Sequence, residues 1–174
     1  MNMEYLLGLL IGLGVGGILL AIVLKITKKD GSIKCKYDER QQLVRGKGFK
    51  YAFFTLIIYN FLVTMLDSSM ERQYVESGVL MIAGVMIGAF VYAVYCIWNE
   101  GYFSLNENPK RVLIAFGVIA LVNIGIGILS CIRGVVFVNG VLTINCMNLL
   151  CGILLLMIFF VVIVKWICRQ REEE

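Results

Sequence analysis

Five runs of about 20 residues, at 5–24, 49–66, 79–98, 112–131 and 147–167, carry no Asp, Glu, Lys or Arg away from their ends. Roughly 20 apolar residues in a helix cross the hydrocarbon of a bilayer. Inside that slab the backbone has no water to bond to, so each run is expected as an α-helix whose amides are satisfied internally. Composition agrees: of 174 residues 60% are hydrophobic and only 16% charged, too few to cover a water-soluble protein of this size. The expected fold is an all-α membrane protein, a five-transmembrane-helix bundle forming a single integral membrane domain over 1–174.

Charge sets the expected orientation. Nine of the sixteen Lys and Arg residues lie in the connection between the first two runs: Lys25, Lys28, Lys29, Lys34, Lys36, Arg40, Arg45, Lys47 and Lys50. Lys110 and Arg111 in the third connection and Lys165, Arg169 and Arg171 in the tail fall on the same side, leaving only Arg72 and Arg133 on the other. Asp67, Glu71 and Glu76 surround Arg72. The positive-inside rule then puts the amino terminus outside, the carboxyl terminus in the cytoplasm, and 25–48 as a basic cytoplasmic connection. Trp98 and Trp166 fall at span ends that this orientation places at the inner interface, where amphipathic rings prefer to sit. No Lys or Arg precedes the first run and its apolar stretch is long, so it reads as an anchor rather than a cleaved signal peptide.

Small residues recur at helical spacing. Gly8, Gly12 and Gly16 repeat every four residues, with Gly14 and Gly17 alongside, and Gly84 and Gly88 repeat the pattern in the third run. Such a ridge lets another helix approach closely and gain dispersion contacts that lipid tails do not match. Packing within the bundle and a homodimer seam both use it. Polar residues inside the runs are few. Asn60, beside Tyr59 and four residues before Thr64, and Asn123, sharing a face with Ala120 and Gly127, are expected in helix packing through interhelical hydrogen bonds. A substrate or ion contact near the midplane is the sharper alternative for both. The runs hold no carboxylate, which argues against a proton-coupled pump.

The connection from 132 to 146 reads as a β-hairpin. Val135-Val136-Phe137-Val138, Asn139-Gly140 and Val141-Leu142-Thr143-Ile144 place two turn residues that tolerate positive φ between two β-prone runs. On the expected orientation it is a short extracellular hairpin between spans four and five. Cys131 and Cys146 flank it and form the candidate disulfide, although a simple register pairs 133 with 146 and leaves Cys131 offset.

Chemistry is sparse. The chain has six cysteines and no histidine, and none of the Cys spacings is that of a zinc site, so no metal and no cofactor are expected. The commonest general base is missing and no nucleophile motif is present, so the chain is expected not to be an enzyme.

The basic connection also carries local structure. Asp38 followed by Gln41 is a capping box that starts a helix running into the second span, with Gly46 and Gly48 allowing a bend at the membrane surface. Arg45, Lys47 and Lys50 would face anionic lipid head groups, each worth about 1 kcal/mol. Asp38, Glu39 and Arg40 form the candidate binding patch for a cytoplasmic partner. The stretch Tyr37-Asp38-Glu39-Arg40-Gln41, followed by Arg45-Gly46-Lys47-Gly48-Phe49-Lys50-Tyr51-Ala52-Phe53-Phe54, resembles small uncharacterised integral membrane proteins of Gram-positive bacteria with a DERQ signature. Those proteins are often encoded near helix-turn-helix regulators, so the resemblance, which covers about a tenth of the chain, implies a bacterial plasma membrane and a regulatory or signalling role. The expectation is a non-enzymatic inner-membrane protein with lipids, a second copy of itself and a cytoplasmic regulator as partners, and no direct contact with nucleic acid. The alternative is a small-molecule transporter, or the membrane-embedded substrate-binding subunit of one, with a cavity near Tyr59, Asn60 and Asn123.

Overall fold

The computed structural model describes residues 3–30, 34–70 and 72–172; Glu71, counted above among the acidic residues near Arg72, lies outside them. Five helices follow one another: α1 (Met3–Thr27), α2 (Glu39–Ser69), α3 (Ser77–Trp98), α4 (Pro109–Ile132) and α5 (Met147–Glu172). Between α4 and α5 stand two short strands, β1 (Phe137–Val138) and β2 (Val141–Leu142), and a 3-10 turn at Ile144–Cys146. All five helices are long and apolar enough to cross a membrane, the mark of a membrane-embedded, multi-pass protein.

The helices pack in the order α2, α3, α5, α4, α1, so that α2 and α1 form the two edges. Small residues make the close seams. A Cβ at Gly152 would lie 2.6 Å from Ile124 Cγ1 and 3.1 Å from the Ala120 carbonyl oxygen, and one at Gly127 would lie 2.7 Å from Leu149 Cβ. Ala120 is fully buried in that seam. On the other pairing, a Cβ at Gly84 would lie 2.7 Å from the Tyr59 ring and one at Gly88 3.5 Å from the Ala52 carbonyl oxygen, so this glycine pair joins α2 to α3. The ridge on α1 differs: a Cβ at Gly8, Gly12 or Gly16 would meet nothing within 4 Å among the described residues, so the ridge makes no close seam with them.

Two clusters sit at opposite ends. Ala93, Ile97, Ile158 and Val162, with Tyr102, Phe103 and Phe116 against them, fill the space among α3, α4 and α5 near the Lys- and Arg-rich end. Val79, Val136 and Cys146 close the hairpin end. The hairpin has the expected turn, with Asn139 and Gly140 at φ of 53° and 79° and Phe137 paired to Leu142. Leu142 also bonds to the segment before α3, receiving Glu76 N–H on its carbonyl at 3.0 Å and donating to Tyr74 O at 2.8 Å. Cys131 and Cys146 are free thiols, the first exposed and the second buried against Val79 and Val136, so packing and backbone bonds close this end and not the candidate disulfide. The observed register has the offset that opposes such a bridge.

Gly46 and Gly48 do not interrupt α2: the helix runs for 31 residues, about 46 Å by helical rise. Gly48 serves packing, since a Cβ there would meet Cys96 Sγ at 2.9 Å and the Tyr92 ring at 3.1 Å. Burial against α3 offsets the weak helix propensity of glycine.

Candidate functional site

At the basic end the described residues of the two connections, 28–30 and 34–38 in the first and 99–108 in the second, are folded onto each other. Each has its own stop signal. Chain exit from α3 is a Schellman-type turn: Gly101 N–H donates to Cys96 O at 2.8 Å and Glu100 N–H to Ile97 O at 3.2 Å, with Glu100 at φ 60°. Gly101 is needed there because a Cβ would meet Val44 Cγ1 at 2.6 Å. Entry into α4 is set by Asn108, which accepts from Lys110 N–H, followed by Pro109 in the first turn.

Asn106, 8% exposed, is the hub that joins them. Its amide donates to both Asp30 carboxylate oxygens at 3.2 and 3.1 Å and to the Lys34 carbonyl at 2.9 Å. Its carbonyl oxygen accepts from Lys36 N–H at 3.1 Å and from the Ser104 hydroxyl at 2.9 Å. Backbone bonds flank the hub, from Lys29 N–H to Asn106 O, Leu105 N–H to Lys36 O and Asn108 N–H to Thr27 O, all between 2.8 and 3.0 Å. Every face of this side chain is used, so the basic connection is held as an ordered cap.

Asp38 caps α2 as expected. Gln41 N–H donates to its Oδ1 at 2.6 Å, and Asp38 N–H donates back to Gln41 Oε1 at 3.4 Å. Gln41 then reaches across, its Nε2 donating to the carbonyls of Glu100 and Phe103. The three residues of the candidate patch thus divide. Asp38 is a structural cap, Arg40 lies 3.7 Å from Glu100 with both side chains well exposed, and Glu39 is exposed. The cationic trio divides too: Lys47 and Lys50 are exposed, whereas Arg45 is half-buried with its guanidinium 4.0 Å from the Tyr37 ring and 5.7 Å from the Tyr92 ring. Such stacking satisfies a cation through ring faces and holds Arg45 against the cap.

The interior of the cap is polar. Lys28, 2% exposed, donates its ammonium to Cys35 Sγ at 3.2 Å, and Cys35 Sγ lies 3.8 Å from Glu107 Oε1. Burial pushes the Tyr37 phenol above its ordinary range against the opposing pull of Arg45. Burial likewise raises Tyr102, with Glu107 adding to it, to about 12. Both phenols are therefore neutral across the physiological range. Nothing in the sequence around Asn106 marked it as a hub; only the turn-rich run before Pro109 hinted at an ordered loop.

The polar residues of the spans do not converge. Tyr59 donates its hydroxyl to Leu80 O at 2.8 Å, Asn123 donates to Ile119 O of its own helix at 2.9 Å, and Asn60 is exposed on α2. The interhelical bonds expected of the two amides are not made among the described residues. One cavity, of about 160 Å³, lies among Val63, Leu66, Asp67, Tyr74 and Leu80. A second, about 420 Å³, is a shallow apolar groove between α3 and α5 lined by Phe90, Leu156 and Phe160. The first touches a carboxylate only at its rim end of α2, and neither joins Tyr59, Asn60 and Asn123. Among the described residues no cluster of three metal-ligating side chains occurs. Compared with known proteins, the chain matches no family model, no curated protein and no solved structure.

Proposed function

We propose that this chain is a non-enzymatic, multi-pass membrane protein that docks a soluble regulatory partner on its basic cap, with that cap in the cytoplasm of a bacterial cell and the hairpin outside. The observation that carries it is the Asn106 hub, which holds 28–30 and 34–38 against 99–108 as one ordered platform around an exposed Glu39 and the Arg40–Glu100 pair. An ordered surface loses less entropy on binding than a free loop does. Lys47 and Lys50, exposed at the base of the platform, supply the contact with anionic lipid. The DERQ likeness gives the class of partner, a small cytoplasmic regulator. A transporter would need a polar path, whereas the described cavities are lined mainly by apolar side chains.

The test is site-directed photo-crosslinking in living bacteria with a photoreactive residue in place of Glu39. A discrete adduct with one soluble protein, lost on Arg40→Glu, supports the role; adducts with lipid alone contradict it. Asp38 is left intact, because its alanine variant would fray α2 and confuse binding with folding. Orientation is read separately, by membrane-impermeant thiol labelling of intact cells. The exposed Cys131, rather than the buried Cys146, is the thiol to follow, and it should react while Cys35 does not.

A further inference from the structure

Asn60 is an amide without an answer. It stands on α2 about 9 Å along the helix from Leu66 and about 16 Å from Phe49, well inside the apolar run. Its neighbours on the same helix are all satisfied within the chain: Thr55 donates to Tyr51 O at 2.9 Å, Thr64 to Asn60 O at 2.7 Å and Tyr59 to Leu80 O at 2.8 Å. Asn123, the other amide deep in a span, donates to Ile119 O of its own helix. The Asn60 side chain instead faces outward from the edge helix of the bundle. In hydrocarbon an unpaired amide is costly, so its donor and acceptor require a partner at the same depth.

We propose that this partner is Asn60 of a second copy, in a two-fold dimer formed by α2 against α2. Copies inserted in one orientation present α2 in parallel, so a two-fold axis along the membrane normal brings identical residues to identical depth. The carboxamide is self-complementary: each Nδ2 donates to the other Oδ1, and both amides are paired by one symmetry operation. Phe53, Ile57, Asn60 and Thr64 follow one another at spacings of four, three and four, so they share one face, and all four are exposed, Phe53 by 62% and Ile57 by 46%. That face supplies an aromatic and a β-branched side chain on one side of the amide and a threonine on the other. A single buried asparagine in a helix seam is a device that fixes register and copy number. Because α2 continues unbroken from Glu39, the same dimer sets two basic caps side by side. Its formation does not depend on what the caps bind.

The test uses the full-length protein with fluorescent donor or acceptor fused at its carboxyl terminus, reconstituted in phosphatidylcholine and phosphatidylglycerol vesicles over a range of protein-to-lipid ratios. Energy transfer should follow a monomer–dimer curve. Asn60→Leu should lower the association constant about 3- to 30-fold, the span expected for an intramembrane amide pair. Asn60→Gln should retain most of it, and Asn123→Leu should leave it unchanged. Oxidative cross-linking, in a background with the native cysteines replaced by serine or alanine, should join Thr64→Cys to itself and not Gly12→Cys on the α1 ridge. Wild type that stays monomeric, Asn60→Leu that associates as tightly as wild type, or cross-linking through Gly12→Cys alone would each overturn the α2 dimer.

Discussion

Replacing Gly152 by alanine separates helix propensity from packing in the α4–α5 seam. The added methyl would sit 2.6 Å from Ile124 Cγ1, 3.0 Å from Ile124 N and 3.1 Å from Ala120 O. The side-chain clash can relax by rotation, but two of the three neighbours are backbone atoms. Ordinary contact distance then requires the helices to part by about 0.5 Å, and a gap of that size forfeits about a quarter of the dispersion attraction along the seam. Overpacking of this kind costs about 1–3 kcal/mol. Gly125, on the same pair of helices, has nothing within 4 Å, so alanine there adds helix propensity without a clash and gains up to about 1 kcal/mol. Alanine gains that propensity at both positions, so the two variants should differ by the packing cost alone, about 1–3 kcal/mol, with Gly152→Ala the less stable. Denaturation in mixed micelles, followed by circular dichroism, measures the gap. Equal midpoints for Gly152→Ala and Gly125→Ala would refute the close approach of α4 and α5.

Asp38→Ala should cost about 1 kcal/mol at the start of α2 and speed amide exchange at Gln41 and Gln42, while Asp38→Asn keeps both near wild type. Asn106→Leu removes a partner from Asp30, Lys34, Lys36 and Ser104 together, and limited proteolysis should then cut within 34–38 faster than in the wild type. Tyr102 has its phenol raised from 10.0 to about 12, so the neutral form is the one the fold favours. Its contribution is complete below pH 10 and is lost as pH rises through 12; Tyr102→Phe should flatten stability over that interval, and the tyrosinate absorbance difference between the two proteins should titrate near 12.

Much of the fold was legible because its signals are local. The five apolar runs needed only length and the absence of charge, and each falls on a helix. Asn139-Gly140 fixed its turn through two residues that accept positive φ, and Asp38 with Gln41 fixed a helix start within four residues. What stayed hidden depends on distant chain. Gly48 reads as a weak point in a helix until Tyr92 and Cys96 are placed against it, and Arg45 reads as a head-group cation until Tyr37 and Tyr92 stack on it. Asn106 joins residues some seventy positions away, a pairing that neither periodicity nor motif encodes. Cys131 and Cys146 looked paired by proximity in sequence, yet both are free thiols in a hairpin whose register leaves Cys131 offset.

The ordered cap is the claim on which the docking role depends, and hydrogen exchange of the full-length protein in lipid nanodiscs tests it most directly. The amides of Lys29, Lys36, Leu105 and Asn108 each donate to an acceptor in the opposing connection, or to the end of α1 in the case of Asn108. They should exchange far more slowly than those of an unstructured peptide, and the first three should lose protection in Asn106→Leu. Exchange of all four in the wild type at the rate of a free chain would contradict the cap.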